Sequence, residues 1–269
     1  MNLFTEAGKL QDQGAAFAVA TLIDSQGSTP RATAKMVVKS DGAILGTIGG
    51  GLAEAYVITE ALAAIGQRQS KTVEYILNSQ AADGIQMLCG GKITVFIEVV
   101  APKPRIVMIG AGHVGMAVAR LVEFLDYRLV IVDDREEFAN SEKYPMAAEI
   151  YWHPEMAQAI APVVIDRNTY VVIATKDADL SALRSVIGSP AAYIGMIGSK
   201  RKVGLVREQL QNEGVTAERL QSIYAPVGLD LGSETPEEIA LSIMAEIMKV
   251  RNGKTGMPLS EGIRQPSSF

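Results

Sequence analysis

Cys89 is the only cysteine among 269 residues, and it stands in MLCGGK with Gly90, Gly91 and Lys92 directly after it. A thiol attacks or ligates as its thiolate, which a nearby cation favours, and glycine neighbours leave room for a bulky electrophile or a metal. Free cysteine is also among the most buried residue types and serves as inert core. The residues alone leave both readings open. Upstream, GTIGGGLAE places Gly49, Gly50 and Gly51 before a helical pattern, so unobstructed amides would face whatever occupies that helix start. Glycines in regular structure cost roughly 0.5–1 kcal/mol each against alanine. A tight turn needs one or two, so a third points to close approach by a ligand. Glu54, in the first helical turn, reads equally as a dipole-stabilised carboxylate and as a functional one.

A third glycine cluster has a more definite mechanical sense. Gly110, Gly112 and Gly115 form GAGHVG between an apolar strand and a helix. The first glycine allows the tight turn, the second lets a pyrophosphate approach the backbone, and the third lets helix and strand pack closely. His113 opens the helix as a polar or anion contact. Asp133 lies 23 residues past Gly110, where a carboxylate usually meets an adenosine ribose, and Arg135 beside it leaves NAD against NADP open. Lys176 and Asp177 follow the fourth strand of this segment, at the edge where such sheets meet ligands. They are acid–base candidates for a hydride-transferring enzyme, or a solvated helix start. None of the eight tyrosines has a lysine four residues later, so a Tyr-x-x-x-Lys proton relay is absent.

The elements that must position these residues fall into two rhythms. Up to about Val100, strands are expected from Phe17 to about Ile23, in AKMVVKSDG with its Asp41-Gly42 turn, and in KTVEYIL and KITVFIEVV. One helix, about Leu52 to Ile65, accompanies them, ended by Gly66. APKPR is a stiff linker. Beyond it RIVMIG, RLVIVDD, AEIYW, TYVVIAT and AAYIGMIG alternate with helices, the pattern of a parallel sheet buried on both faces. A last helix is signed by Thr235, Pro236 and Glu238 as cap, first position and capping box. The fold expected is α/β: a Rossmann-type doubly wound parallel sheet over 102–253, preceded by a smaller mixed α/β domain over 1–101. A polar tail over 254–269 follows.

Composition narrows the function classes. The chain is 48% hydrophobic and 20% charged with a net charge of −5, which offers no basic footprint for nucleic acid or anionic lipid. No apolar run approaches the ~20 residues of a membrane span, and MNLFTEAGKLQ is too polar for a signal peptide. A soluble, cytoplasmic protein is expected. One cysteine and two histidines exclude an intramolecular disulfide and argue against a cysteine- or histidine-rich metal centre.

In order along the chain, GSTPR (27–31), GTIGGGLAE (46–54), CGG (89–91) before IEVV, GAGHVG (110–115), VDDR (132–135), YIGMIGSKRK (193–202) and VGLDLGSETPEEIALSIMAEI (227–247) resemble the XdhC/CoxI family. Its members are accessory proteins for xanthine dehydrogenase and related molybdenum hydroxylases. The resemblance implies a chaperone that binds molybdenum cofactor, supports its sulfuration and inserts it into the apo-hydroxylase, with a cysteine desulfurase supplying sulfur. It implies Cys89 as metal ligand or transient sulfur carrier, with Gly49, Gly50, Gly51, Gly90 and Gly91 around the cofactor and Arg31 as a phosphate partner. Ser199, Lys200, Arg201 and Asp230 are further candidates from the C-terminal segment. Two departures stand out: Lys176 replaces a histidine many members carry, and ATAKM after Arg31 lacks an expected glycine. A homodimer is compatible with the sequence. The rival reading is an NAD(P)-dependent oxidoreductase, which leaves the IGGG and CGG loops unexplained.

Overall fold

The computed structural model describes residues 2–27, 34–77 and 91–260. The chain divides into two units, Met1–Pro102 and Lys103–Phe269. In the first, strands β1 (Phe17–Gly27), β2 (Lys35–Lys39), β3 (Ile44–Thr47), β4 (Lys71–Leu77) and β5 (Gly91–Val100) form one antiparallel sheet in the order β3-β2-β1-β5-β4. Helix α2 (Gly51–Gln67) lays Ala53, Val57, Ala61 and Ala64 on the face made by Ala18, Ala20, Leu22, Val95 and Ile97. The alanine stripe lets the helix approach closely, and the strand residues recur at every second position.

Three expectations for this unit are corrected. Among the described residues it holds two helices, because α1 (Leu3–Asp12) precedes the sheet, with the Asn2 side chain accepting from the Phe4 amide. Strand β1 does not close near Ile23; a register shift between Leu22 and Asp24 absorbs that residue and pairing resumes to Gly27. Gly66 lies inside α2, and the left-handed turn that ends the helix falls on Arg68 (φ 53°).

The second unit is the doubly wound fold. Strands β6 (Arg105–Ile109), β7 (Arg128–Asp133), β8 (Glu149–Trp152), β9 (Thr169–Ile173) and β10 (Tyr193–Met196) are all parallel, in the order β10-β9-β6-β7-β8. The strand order reverses between β6 and β9, so the crevice at their carboxyl ends is the topological switch point. Alternation along β6 explains the two covers. Ile106 and Met108 face α3 (His113–Phe124) and α8 (Pro236–Asn252), while Val107 and Ile109 face α4 (Met156–Ile160), α5 (Asp179–Val186) and α6 (Lys200–Asn212). Each fully buried Ile or Val stabilises by about 1.5–3 kcal/mol. A short helix, α7 (Ala217–Gln221), precedes a segment that adds a parallel bridge, Tyr224 beside Gly195. At the amino ends of the strands, Arg105 and Arg128 both pair with Glu149, which also accepts from the Tyr151 hydroxyl. That clasp lies at the end opposite the crevice. Among the described residues no helix is long and apolar enough to cross a membrane.

Candidate functional site

In the second unit the carboxyl edge of the sheet is built around GAGHVG. A Cβ at Gly110 (φ +108°) would lie 2.3 Å from the Ala174 carbonyl oxygen, so the glycine lets the backbone that follows β6 pass close against the backbone that follows β9. A Cβ at Gly115 would lie 2.2 Å from the Gly110 carbonyl oxygen, which is the close helix–strand packing expected of the third glycine. At Gly112 a Cβ would meet nothing within 4 Å. No side chain caps the start of α3, and His113 is exposed there. Open backbone at a helix start suits an anion.

Asp133 sits at the expected place and is spent on the protein. It is 1% exposed. One oxygen accepts from the Ala111 amide at 2.6 Å and from an Arg135 terminal nitrogen at 3.1 Å; the other accepts from the Arg135 amide at 3.0 Å and Nε at 2.9 Å. Burial pushes its pKa up, but Arg135 and the Ala111 amide outweigh that and hold it below the usual carboxylate range. The Arg135 guanidinium lies 3.9 Å from the centre of the Phe138 ring, which fixes it further. A ribose would have to displace this clamp, so the residues present do not fit a dinucleotide in its usual pose. Asp134 is half-exposed, and burial together with the Asp133 charge raises its pKa.

Beyond β9, Lys176 and Asp177 are exposed. The residue that sequence reasoning missed is Asp179, the first residue of α5 and 2% exposed. It accepts from the Thr175 hydroxyl at 2.7 Å and amide at 3.3 Å, and its other oxygen pairs with the Lys202 ammonium. The β9 and β10 loops are thereby tied together. Its sequence signal was TKDAD, where an acid falls on a helix start. Ser199 caps α6, its hydroxyl accepting from the Lys202 amide, and Lys200 and Arg201 begin that helix, exposed.

Glu246 was also missed. It is 8% exposed on α8 and accepts from the Tyr193 hydroxyl at 2.6 Å and the Gly228 amide at 3.0 Å. It falls on the stripe Ile239, Ile243, Glu246, Val250, so a polar residue at core spacing was the available signal. Burial and the Glu246 carboxylate push the Tyr193 hydroxyl far up. Gly228 (φ +100°) leaves space that the Ser242 hydroxyl fills, 2.4 Å from where a Cβ would stand. The loop from Pro226 to Ser233, with Asp230 exposed on it, is thus pinned to sheet and helix.

In the first unit, Gly49, Gly50 and Gly51 all have positive φ (130°, 79° and 72°), a path closed to residues with side chains except at a cost. The expectation that their amides stand unobstructed is corrected. Glu54 reaches back from α2 to accept from the Ile48 amide at 3.1 Å, the Gly50 amide at 3.2 Å and the Thr47 hydroxyl, and Thr47 Oγ1 accepts from the Gly49 amide at 3.0 Å. The carboxylate is a loop clasp. The start of α2 itself carries no side-chain cap.

Cys89, Gly90 and Arg31 lie outside the described residues. The strand register nevertheless locates the ends of their segments. Gly27, the last residue of β1, pairs with Gly91, the first of β5, and Gly91 also pairs with Leu77, the last of β4. Thr47, the last of β3, pairs with Lys35, the first of β2. These strand ends point the same way along one sheet, but Lys35 and Thr47 stand opposite Thr21, farther back along β1 than Gly27, Gly91 and Leu77. Among the described residues no three His, Cys, Asp or Glu side chains gather as a metal site.

Residues 106–247, more than half of the chain, match the family described as the XdhC Rossmann domain, and residues 10–76 match the XdhC and CoxI family. The chain is 41% identical over 256 residues to the uncharacterized protein YqeB of Escherichia coli (strain K12), covering 95% of this chain and 47% of that protein. It is 29% identical over 160 residues to a Bacillus subtilis (strain 168) protein named as a "probable xanthine dehydrogenase" subunit, covering 58% of this chain and 46% of that one. It thus spans about half the length of these two relatives. It is 26% identical over 262 residues to the molybdenum cofactor insertion chaperone PaoD of E. coli, covering 86% of this chain and 82% of that protein. A crystal structure described as a xanthine dehydrogenase from Bacillus halodurans superposes with a TM-score of 0.50 at 20% identity, over 98% of this chain and all of the other. That likeness shows the fold.

Proposed function

The chain belongs to the XdhC and CoxI family, and from that premise we propose that it binds molybdenum cofactor and serves its insertion into a xanthine dehydrogenase-type molybdenum hydroxylase. One observation supports the reading in this chain's own geometry: the strand ends that border the Arg31, Gly49–Gly51 and Cys89 segments leave one sheet in the same direction, Gly27, Gly91 and Leu77 together and Lys35 with Thr47 farther back along β1, opposite Thr21. The cargo has a phosphate and a metal held by sulfur. An arginine suits the first, and a thiolate suits the second. The relative named as a molybdenum cofactor insertion chaperone supports the same reading.

In this proposal Cys89 ligates the metal of the cargo or carries sulfur to it, with Gly90 and Gly91 giving access and a cysteine desulfurase as donor. Glu54 keeps the IGGG loop in shape by accepting from the Ile48 and Gly50 amides, and Arg31 meets the phosphate. The partner is the hydroxylase apoprotein. The oxidoreductase alternative gains nothing from the second unit, where Asp133 is held by Arg135 and Ala111. NAD(P) therefore has no step in the proposal.

The test is anaerobic incubation of wild type and Cys89→Ser with molybdenum cofactor, followed by gel filtration and assay of molybdenum and pterin in the protein fractions. Co-elution with wild type and loss with the serine variant is expected. No co-elution with either, together with NADH oxidation by wild type, would replace this reading with the oxidoreductase.

A further inference from the structure

The two ends of the GAGHVG crevice differ in the second unit. At the start of α3 no side chain caps the helix, and a Cβ at Gly112 would meet nothing within 4 Å, so the end that meets phosphate in such folds is open. The end that meets an adenosine ribose is occupied by the protein itself. An ionised carboxylate offers about four lone-pair sites, and Asp133 receives a donor at each. One oxygen takes the Ala111 amide and an Arg135 terminal nitrogen, and the other takes the Arg135 amide and Nε.

These four donors are of two kinds. The Ala111 and Arg135 amides are backbone and would remain with any residue at position 135. The other two belong to the Arg135 guanidinium, which places one N–H on each carboxylate oxygen, at 2.9 and 3.1 Å. A planar fork of this kind is a strong, charge-assisted pair. The fork is also seated from outside the pair: its carbon lies 3.9 Å from the centre of the Phe138 ring, and Nε lies 3.6 Å from an Asp134 oxygen. The guanidinium thus takes the two acceptor sites that ribose hydroxyls would use.

We propose that the Arg135 side chain is a built-in plug that keeps NAD and NADP out of the second unit, and that its removal alone makes the crevice a site for NAD. With the guanidinium gone, each Asp133 oxygen regains one acceptor site while both backbone donors hold the carboxylate in place. The freed carboxylate accepts from the ribose of NAD and repels the 2′-phosphate of NADP. Lys143, whose ammonium lies 4.3 Å from the centre of the Phe138 ring, stays on that ring when Arg135 is replaced. The plug is argued from the second unit alone and stands whether or not the first unit handles molybdenum cofactor.

The test is isothermal titration of the full chain, as wild type, Arg135→Ala and Arg135→Gln, with NAD, NADP and nicotinamide mononucleotide, which lacks the adenosine. Wild type should give no saturable heat with either dinucleotide up to about 1 mM. Arg135→Ala should bind NAD at least about tenfold more tightly than wild type does, and more tightly than it binds NADP. Arg135→Gln, which keeps a donor and loses the charged fork, should fall between the two. Far-UV circular dichroism shows that each variant is folded, and the glutamine variant decides if the alanine variant is not. Saturable binding of NAD or NADP by wild type would overturn the proposal. So would folded variants that bind NAD no better than wild type, that prefer NADP, or that gain equally for the mononucleotide.

Discussion

Glu246 is a carboxylate on an otherwise apolar stripe, and its two donors come from different elements, Tyr193 on β10 and Gly228 on the anchored loop. Replacing it with alanine leaves a buried hydroxyl and a part-buried amide without an acceptor. Glu246→Ala is therefore expected to lower unfolding free energy by about 2–4 kcal/mol in urea titration, with Glu246→Gln milder. A change under about half a kcal/mol would mean the loop is held by other contacts. Asp133 gives a second prediction at this scale. Its folded pKa lies below the unfolded value of about 4, so it contributes stability that is present above that value and lost as pH falls through the folded one. Glu149, lowered by Tyr151, Arg105 and Arg128 against a burial that would raise it, acts in the same direction. The urea midpoint should show no loss from these groups near neutrality and fall below about pH 4. In Arg135→Ala the neutral-pH midpoint should drop and the acid-side slope should flatten; an unchanged slope would show that the clamp is energetically idle.

At the scale of elements, the GAGHVG turn separates packing from access. Gly115→Ala forces a methyl to within 2.2 Å of the Gly110 carbonyl oxygen, whereas Gly112→Ala meets nothing within 4 Å. The first is expected to cost about 2 kcal/mol or more in thermal or urea unfolding, and the second less than about 0.5. Equal effects would contradict the assignment of roles. These roles were legible from the sequence, because glycine spacing between an apolar strand and a helix is a steric statement. Helix α1 was not legible, since its segment is weighed only against a signal peptide, for which it is too polar, and Asn2 goes unread as a cap. The continuation of β1 past Ile23 was hidden for a different reason: a register shift breaks the alternation that marks a strand. The clasp by Glu54 was equally hidden. A carboxylate in the first turn of a helix can stabilise the dipole or reach back to the loop, and only the path of Gly49–Gly51 decides between them.

For the molecule as a whole, the sheet registers do what local sequence cannot. The parallel, doubly wound unit was readable from near-continuous apolar strands alternating with helices, and the capping box of α8 stands where Thr235 and Glu238 placed it. The common direction of these strand ends was not readable. Arg31, Gly49–Gly51 and Cys89 are far apart in the chain, and only antiparallel pairing turns the strand ends that border them the same way, with Lys35 and Thr47 set back opposite Thr21. The ion pair of Asp179 with Lys202 and the buried Glu246 are likewise products of packing between elements distant in sequence.

The central claim is delivery. The most direct measurement loads wild type and Cys89→Ser anaerobically with molybdenum cofactor, mixes each with cofactor-free xanthine dehydrogenase-type hydroxylase, and follows recovery of hydroxylase activity against free cofactor. The account predicts faster or fuller recovery with loaded wild type than with free cofactor, and recovery with the serine variant no better than free cofactor. Recovery that is the same for all three would contradict it.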